Sequence, residues 1–182
     1  MVEEKIALKG LVLLKPNVFE DDRGKFFESH NASRFRKIID EEVDFSQDNI
    51  SISKKNVLRG LHFQRPPKAQ AKLVQVIKGS VLDVTVDIRV NSATYGKHYK
   101  VELNEKNRLQ LWIPEGFAHG FLALEENTVF SYKCTSAYSK ADELDLLWND
   151  PSLNIDWGIK SPVLSAKDEF ATSFQNFNSP FQ

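Results

Sequence analysis

The stretch 80-SVLDVTVDIRV-90 decides the fold class, because its apolar residues recur at every second position. One face of this segment would carry the apolar set Leu82, Val84, Val86, Ile88 and Val90. The other face would carry a mostly polar set: Val81, Asp83, Thr85, Asp87 and Arg89. A period of two residues is typical of a β-strand, in which neighbouring side chains point to opposite faces.

The same short period recurs along the rest of the chain. Further strands are predicted in LVLL (11–14), KFFES (25–29), DNISIS (48–53), KLVQVI (72–77), YKVEL (99–103), RLQLWI (108–113), GFLAL (120–124) and TVFSYKC (128–134). Glycine, proline and asparagine mark the turns between them. One helix is predicted before the C-terminal region, in SRFRKIIDE (33–41), with Ser33 as its N-cap.

So many short strands indicate an all-β fold, a sandwich or jelly roll with a few short helices. A chain of 182 residues is long enough for one domain with a sizeable core. We expect a single domain over residues 1–182, with its core at about 5–170 and a loosely held C-terminal tail at 171–182.

Charge and cysteine content exclude several classes of protein. Lys and Arg number 24 and Asp and Glu 25, a net charge of −1, so no overall basic field exists to bind nucleic acid or an anionic membrane. The single cysteine, Cys134, excludes an internal disulfide and fits a reducing compartment. No run approaches the roughly 20 apolar residues of a membrane span, and the first residues lack a signal-peptide pattern. These features predict a cytoplasmic protein without a membrane partner.

The segment 57-VLRGLHFQ-64 places Arg59 and His62 inside an apolar strand. Proteins seldom bury such groups without a partner. His62 is therefore a metal ligand, a proton carrier or a core residue that is satisfied by the backbone. His119 in GFAHGF has similar surroundings.

The metal hypothesis is the weaker one. A jelly-roll metal centre needs H-x-H and a carboxylate, followed later by a histidine after P-x-G, and PEGFAH supplies only that last part with His119. Gln64 stands where the second histidine is needed, and Lys72 would repel a cation. A divalent site requires three or four N, O or S ligands, so we expect no metal.

The proton-transfer hypothesis needs a base, a group that stabilises the resulting anion, and an acid on the other face. His62 is the candidate base, because histidine titrates near neutral pH. Arg59 and Lys72 are candidates to stabilise an enolate, and Tyr132 to return a proton. Three carboxylates remain candidates for orienting the imidazole: Asp83, Asp87 and Asp168.

Taken together, the motifs resemble those of one enzyme family. DDRGKFFES, FSQDNISISKKNVLRGLHFQRPPKAQAKLVQVIKGSVLDVTVDIR, LQLWIPEGFAHGF, SYKCTSAYS, LLWNDPSLNIDW and LSAKD are similar to segments of the dTDP-4-dehydrorhamnose 3,5-epimerase family, in order over roughly residues 5–170. The resemblance implies a cupin-type jelly roll, a homodimer with strand exchange, and no cofactor. It also implies a substrate in which a 4-keto-6-deoxyhexose is attached to thymidine diphosphate.

The resemblance also implies roles for individual residues. His62 matches the family's base, Asp168 its carboxylate partner and Tyr132 its acid. Arg59 and Lys72 match positions near the keto sugar and the phosphates, His119 lines the same cavity, and Tyr138 stacks on the nucleotide. A segment contributed by the partner subunit corresponds to Arg23, Phe26 and Glu28, with Gln47 and Asn49 nearby. Ala137 departs from the pattern, because the family often has a second tyrosine there.

Three alternatives stay open at this point. A relative in the family could invert only C3 or only C5. A cupin binding module would keep the nucleotide cleft without the His, Asp and Tyr set. A metal-dependent cupin enzyme is the third alternative, and Gln64 opposes it.

Overall fold

The computed structural model describes residues 2–182. Its strands are β1 (Val2–Lys5), β2 (Val12–Lys15), β3 (Val18–Asp21), β4 (Gly24–Phe27), β5 (Gln47–Ser53), β6 (Leu58–Gln64), β7 (Lys72–Lys78), β8 (Ser80–Asp87), β9 (His98–Asn104), β10 (Gln110–Ile113), β11 (Phe117–Ala123), β12 (Thr128–Cys134) and β13 (Glu143–Asp145). Its helices are α1 (Ala32–Ile39), α2 (Ala166–Glu169) and a 3-10 turn (Phe174–Asn176). No helix in this described part is long and apolar enough to cross a bilayer.

Two antiparallel sheets form the body of the fold. One sheet has the order β1-β2-β10-β7-β12-β5, the other has the order β13-β6-β11-β8-β9, and β3 and β4 form a separate hairpin. Apolar side chains from both sheets meet between them, among them Leu13, Val76, Leu111, Phe121 and Phe130. The all-β jelly-roll prediction is therefore confirmed.

The alternation of β8 is confirmed, but both of its faces are buried. Val84, Val86 and Ile88 pack with Trp148 and Trp157, which come from the C-terminal part of the chain and cover the outer face of this sheet. The polar residues Asp83, Thr85 and Asp87 point the other way and have no exposed surface. Hence the C-terminal segment forms a third layer, and the polar face of β8 must find its partners inside the protein.

Helix α1 begins earlier than predicted. Its N-cap is Asn31, whose side chain accepts a hydrogen bond from the Arg34 amide at 3.1 Å, so the Ser33 prediction is wrong. Asparagine caps a helix as well as serine does, and Asn31, the earlier of the two residues, accepts the hydrogen bond from the Arg34 amide. Phe35 packs edge-on against Trp112 at 5.2 Å between ring centroids, which fixes α1 against the six-stranded sheet.

The prediction of a loosely held C-terminal tail is also wrong. Phe177 and Phe181 pack against Phe63 at 5.5 and 6.2 Å between ring centroids. The Val90 amide donates to the Phe181 carbonyl at 3.0 Å. The tail is thus part of the layer behind β6, the strand that carries His62.

Candidate active site

A cavity with two lobes lies between the sheets. The inner lobe has a volume of about 230 Å³ and the outer lobe about 290 Å³. His62, Lys72 and Tyr132 line both lobes. The inner lobe is completed by residues that include Ser51, Arg59, His119, Phe121, Phe130 and Asp168. The outer lobe is completed by residues that include Gln47, Asn49, Gln64, Tyr138 and Glu143.

His62 forms a close pair with Asp168 at the wall of the inner lobe. Its Nε2 lies 2.6 Å from Oδ1 of Asp168. Asp168 is buried in α2, accepts a second hydrogen bond from the Ser165 hydroxyl at 2.7 Å, and receives the Gly60 amide at 3.4 Å. With Nε2 donating to this carboxylate, Nδ1 is the ring nitrogen that remains to accept a proton.

The carboxylate of Asp168 stays ionised in spite of its burial. Burial by itself would raise its pKa, but the hydrogen bonds from His62 and Ser165 outweigh burial and hold the pKa below its ordinary value. A carboxylate that remains charged can hold the imidazole ring in one orientation and stabilise it after protonation.

Tyr132 approaches the same space from the opposite sheet. His62 belongs to β6 of the five-stranded sheet, whereas Tyr132 belongs to β12 of the six-stranded sheet. Burial raises the pKa of Tyr132, and Glu143 adds to this effect, although Arg59 partly opposes it. The phenol is therefore protonated at neutral pH and able to act as an acid.

Two cationic side chains reach this cavity. Lys72 is buried, and its Nζ lies 3.5 Å from the His62 carbonyl. Burial lowers its pKa, so an anionic group beside it would stabilise the charged form. Arg59 lies at the more exposed edge, with its Nε 3.2 Å from the Ser53 hydroxyl.

The three candidate carboxylates have three different partners. Asp168 pairs with His62, whereas Asp83 pairs with His119 at 2.8 Å between its Oδ2 and the ring Nε2. His119 lies directly opposite His62 in the register of β11 and β6. Asp87 points to a separate cluster at the end of β8, where Arg89, Ser92 and Thr94 donate to it. Asp87 is therefore not part of the cavity.

Strand β5 has an unusual arrangement, with polar residues inside and apolar residues outside. Gln47, Asn49 and Ser51 line the cavity, whereas Ile50 and Ile52 are 69% and 67% exposed. The Ser51 hydroxyl is buried without a hydrogen-bond partner among the described residues. Sequence reasoning missed Ser51, although the alternation in 47-QDNISIS-53 places it on the same face as Gln47 and Asn49.

Gln64 and Gln47 hold the loop at the mouth of the outer lobe. Gln64 donates to the Ala137 carbonyl at 3.3 Å and accepts the Ser139 amide at 2.7 Å, which accounts for a glutamine at this position. Gln47 accepts the Tyr138 amide at 2.7 Å. The Tyr138 ring is 55% exposed at this mouth. The described residues contain no group of three His, Cys, Asp or Glu side chains placed to hold a metal ion.

The residues Arg23, Phe26 and Glu28 lie elsewhere in this chain. Arg23 is in the β3–β4 turn and pairs with Asp21, and Glu28 pairs with Arg34 at 2.8 Å. Phe26 is 71% exposed. The fold of one chain thus brings together the other predicted site residues and leaves these three outside the cavity.

Comparisons with known proteins identify the family of this chain. The family model described as dTDP-4-dehydrorhamnose 3,5-epimerase matches residues 5–176. The enzyme of that name from Salmonella typhimurium is 52% identical over 172 residues, which cover 94% of this chain and 94% of that protein.

Solved structures show the same likeness. The dTDP-4-dehydrorhamnose 3,5-epimerase from Elizabethkingia anophelis has a TM-score of 0.92 at 47% identity, covering 97% of both chains. The dTDP-6-deoxy-D-glucose-3,5-epimerase from Legionella pneumophila, solved with dTDP-4-keto-L-rhamnose, has a TM-score of 0.93 at 41% identity, covering 97% of this chain and 94% of that chain. The chain therefore belongs to the dTDP-4-dehydrorhamnose 3,5-epimerase family.

Proposed function

We propose that this protein is an isomerase that converts dTDP-4-dehydro-6-deoxyglucose into dTDP-4-dehydrorhamnose by inverting C3 and C5. The observation that carries this proposal is the placement of His62 and Tyr132 on opposite sheets, with the inner lobe between them. A base on one side of a sugar ring and an acid on the other side are what inversion of a carbon requires.

The chemistry begins with the ketone at C4, which acidifies the protons on C3 and C5. Nδ1 of His62 would remove one of these protons, and the ionised Asp168 would stabilise the imidazolium that forms. The electron pair moves onto the C4 oxygen as an enolate. Tyr132 would then donate its proton to the opposite face of the carbon, which inverts it.

Two cationic side chains, Lys72 and Arg59, would stabilise the negative charges of the enolate and the diphosphate. Lys72 lies at the junction of the two lobes, so it would face both the enolate oxygen and the diphosphate. Arg59 would contribute a second positive charge at the inner lobe. The nucleotide would occupy the outer lobe, where Gln47, Asn49 and Tyr138 present polar and aromatic groups.

Solvent isotope exchange tests this proposal. With dTDP-4-dehydro-6-deoxyglucose in D₂O, the wild-type protein should incorporate deuterium at both C3 and C5. The variant His62→Asn should lose exchange at both carbons. Tyr132→Phe should still allow exchange but return the proton with retention. Deuterium at one carbon alone would identify a mono-epimerase, and unchanged exchange in His62→Asn would refute the proposed mechanism.

The second part of the proposal is a homodimer. Strand β5 lies at an edge of its sheet, and its outward residues Ile50 and Ile52 are exposed. The β3–β4 hairpin exposes Phe19 and Phe26, at 65% and 71%. An apolar sheet edge is a surface that a second chain would cover. Docking of a partner's hairpin would explain why the three predicted nucleotide-side residues, Arg23, Phe26 and Glu28, lie outside the cavity of the chain that carries them.

A cytoplasmic location fits the buried Cys134, which is a free thiol.

A further inference from the structure

The helix that carries Asp168 is too short to be stable by itself. Helix α2 has four residues, and isolated helices of that length do not persist in water. The segment before it is fixed by the bridge between Val163 and Val57, and the segment after it by the bridge between Thr172 and Leu146. Phe170, which ends the helix, is 82% exposed and provides no apolar anchor. Asp168 anchors α2 to β6 through His62 and the Gly60 amide, and a further contact holds the side of the helix that faces β13.

Lys167 provides that contact. Its Nζ lies 2.7 Å from Oε1 of Glu143 and 3.7 Å from Oδ2 of Asp145, both on strand β13. In the register of β13 with β6, Asp145 lies opposite His62 and Glu143 lies opposite Gln64. Lys167 therefore connects the helix that carries Asp168 to the strand that is hydrogen-bonded beside His62.

We propose that Lys167 is a positioning residue that holds α2 against β13, and so sets the contact of Asp168 with His62, while balancing the two carboxylates of β13. This inference rests on the proposed function. The inference extends the proposed function to a residue outside the cavity, because Lys167 does not line either lobe.

Glu143 and Asp145, the partners of Lys167, are largely shielded from solvent, so these ion pairs can contribute to the position of α2. The side chains of Glu143 and Asp145 are 22% and 21% exposed, against 38% for Lys167. Burial would raise the pKa of Glu143, but the hydrogen bonds from Lys167 and Tyr138 hold it below the ordinary value. Partly buried ion pairs are screened less than those on the open surface.

The charge balance around His62 gives the expected direction of a pH effect. The titratable and charged groups that face it are Asp168 on α2, Glu143 and Asp145 on β13, Lys72 on β7, Tyr132 on β12, Arg59 on its own strand, and the His119–Asp83 pair on β11 and β8. Loss of Lys167 would leave the carboxylates of β13 unbalanced. The imidazolium form of His62 would then be more stable, and its proton would be harder to remove.

The test compares Lys167→Met with Lys167→Arg, and with Lys160→Met as an exposed control. In Lys167→Met, kcat should fall about tenfold, because a displaced catalytic group loses its geometry. The acid limb of the kcat/KM profile should move upward by about half a pH unit. Lys167→Arg should restore both values, and Lys160→Met should match the wild type in both.

A second variant keeps the inference testable if Lys167→Met fails to fold. Glu143→Gln removes a negative charge near His62, so its acid limb should move in the opposite direction, to lower pH. Equal profiles for Lys167→Met and Lys160→Met, or shifts of the same sign in Lys167→Met and Glu143→Gln, would overturn the inference. Deuterium exchange by the wild type and its loss in His62→Asn establish the proposed function separately, so the two failures are distinguishable.

Discussion

An asparagine at position 168 would keep the shape of Asp168 and remove its charge. The amide oxygen can still accept from Nε2 of His62 and from the Gly60 amide, and the amide nitrogen can donate to the Ser165 hydroxyl. The ring of His62 therefore keeps its orientation. What is lost is the electrostatic stabilisation of the imidazolium that forms when the sugar is deprotonated.

The size of the loss follows from this one interaction. A hydrogen bond to a charged group contributes roughly 1.5–3 kcal/mol, against about 1 kcal/mol for a neutral one. The 2.6 Å separation and the burial of Asp168 favour the upper part of that range. Because about 1.4 kcal/mol changes a rate tenfold, we expect kcat to fall by roughly 10- to 100-fold.

The pH profile should change in a defined direction. Without the carboxylate, the imidazolium form of His62 is less stable, so the acid limb of kcat/KM should move to lower pH. Asp168 itself contributes stability in the wild type. Its pKa is lowered in the folded state, so this contribution is present above the unfolded value near 3.9 and is lost as pH falls through the folded value.

The assay measures kcat and deuterium incorporation at C3 and C5 for Asp168→Asn. The matched control is Asp87→Asn, which changes another fully buried aspartate that lies outside the cavity. The control should exchange at the wild-type rate. Wild-type kcat in Asp168→Asn, or an acid limb that moves to higher pH, would refute the assigned role of this carboxylate.

Three further predictions concern stability, metals and assembly. Hydrogen bonds from Arg89, Ser92 and Thr94 outweigh burial and lower the pKa of Asp87 to about 2, so Asp87→Asn should cost about 2 kcal/mol in urea unfolding at pH 7. This cost should shrink as pH falls from 4 towards 2, and a cost that does not depend on pH would contradict it. Activity should survive exhaustive chelation, because the position where a metal site would need a second histidine is occupied by Gln64, whose side chain is hydrogen-bonded to the loop at Ala137 and Ser139. A stoichiometric metal that elemental analysis finds to track activity would contradict this prediction. Light scattering should give about twice 20.8 kDa, whereas Ile50→Asp should give an inactive monomer; a fully active wild-type monomer would exclude the proposed dimer.

Strands that carry their own alternation could be predicted from the sequence, whereas the shortest elements could not. The pattern of 80-SVLDVTVDIRV-90 is local, and the structure has β8 where it indicates. β13 has three residues and α2 has four, too few to show a period. Tertiary contacts create both elements, so the position of Lys167 on a helix facing β13 could not be read from the sequence.

The choice of partner for His62 shows the same limit. Histidine and tyrosine in apolar strands indicate proton transfer, but the sequence alone offers Asp83, Asp87 and Asp168 as chemically equivalent partners for His62. Asp168 is 106 positions from His62 in the chain, and no local spacing connects them. Only the resemblance to the family distinguishes Asp168 from the other two aspartates, and the fold brings it within hydrogen-bond distance of His62.

The third layer explains why alternation predicted the faces of β8 but not their exposure. In a two-layer sandwich, a polar face such as that of Asp83 and Asp87 would point to water. Here the C-terminal segment covers the outer face with apolar residues, so the polar face points into the interior. Each carboxylate there needs a partner, because an isolated buried charge is costly. Asp87 meets this need with Arg89 and thereby fixes a loop, whereas Asp83 meets it with His119 at the cavity wall. Within β8, Asp87 therefore contributes to the stability of the fold, whereas Asp83 contributes to the candidate active site.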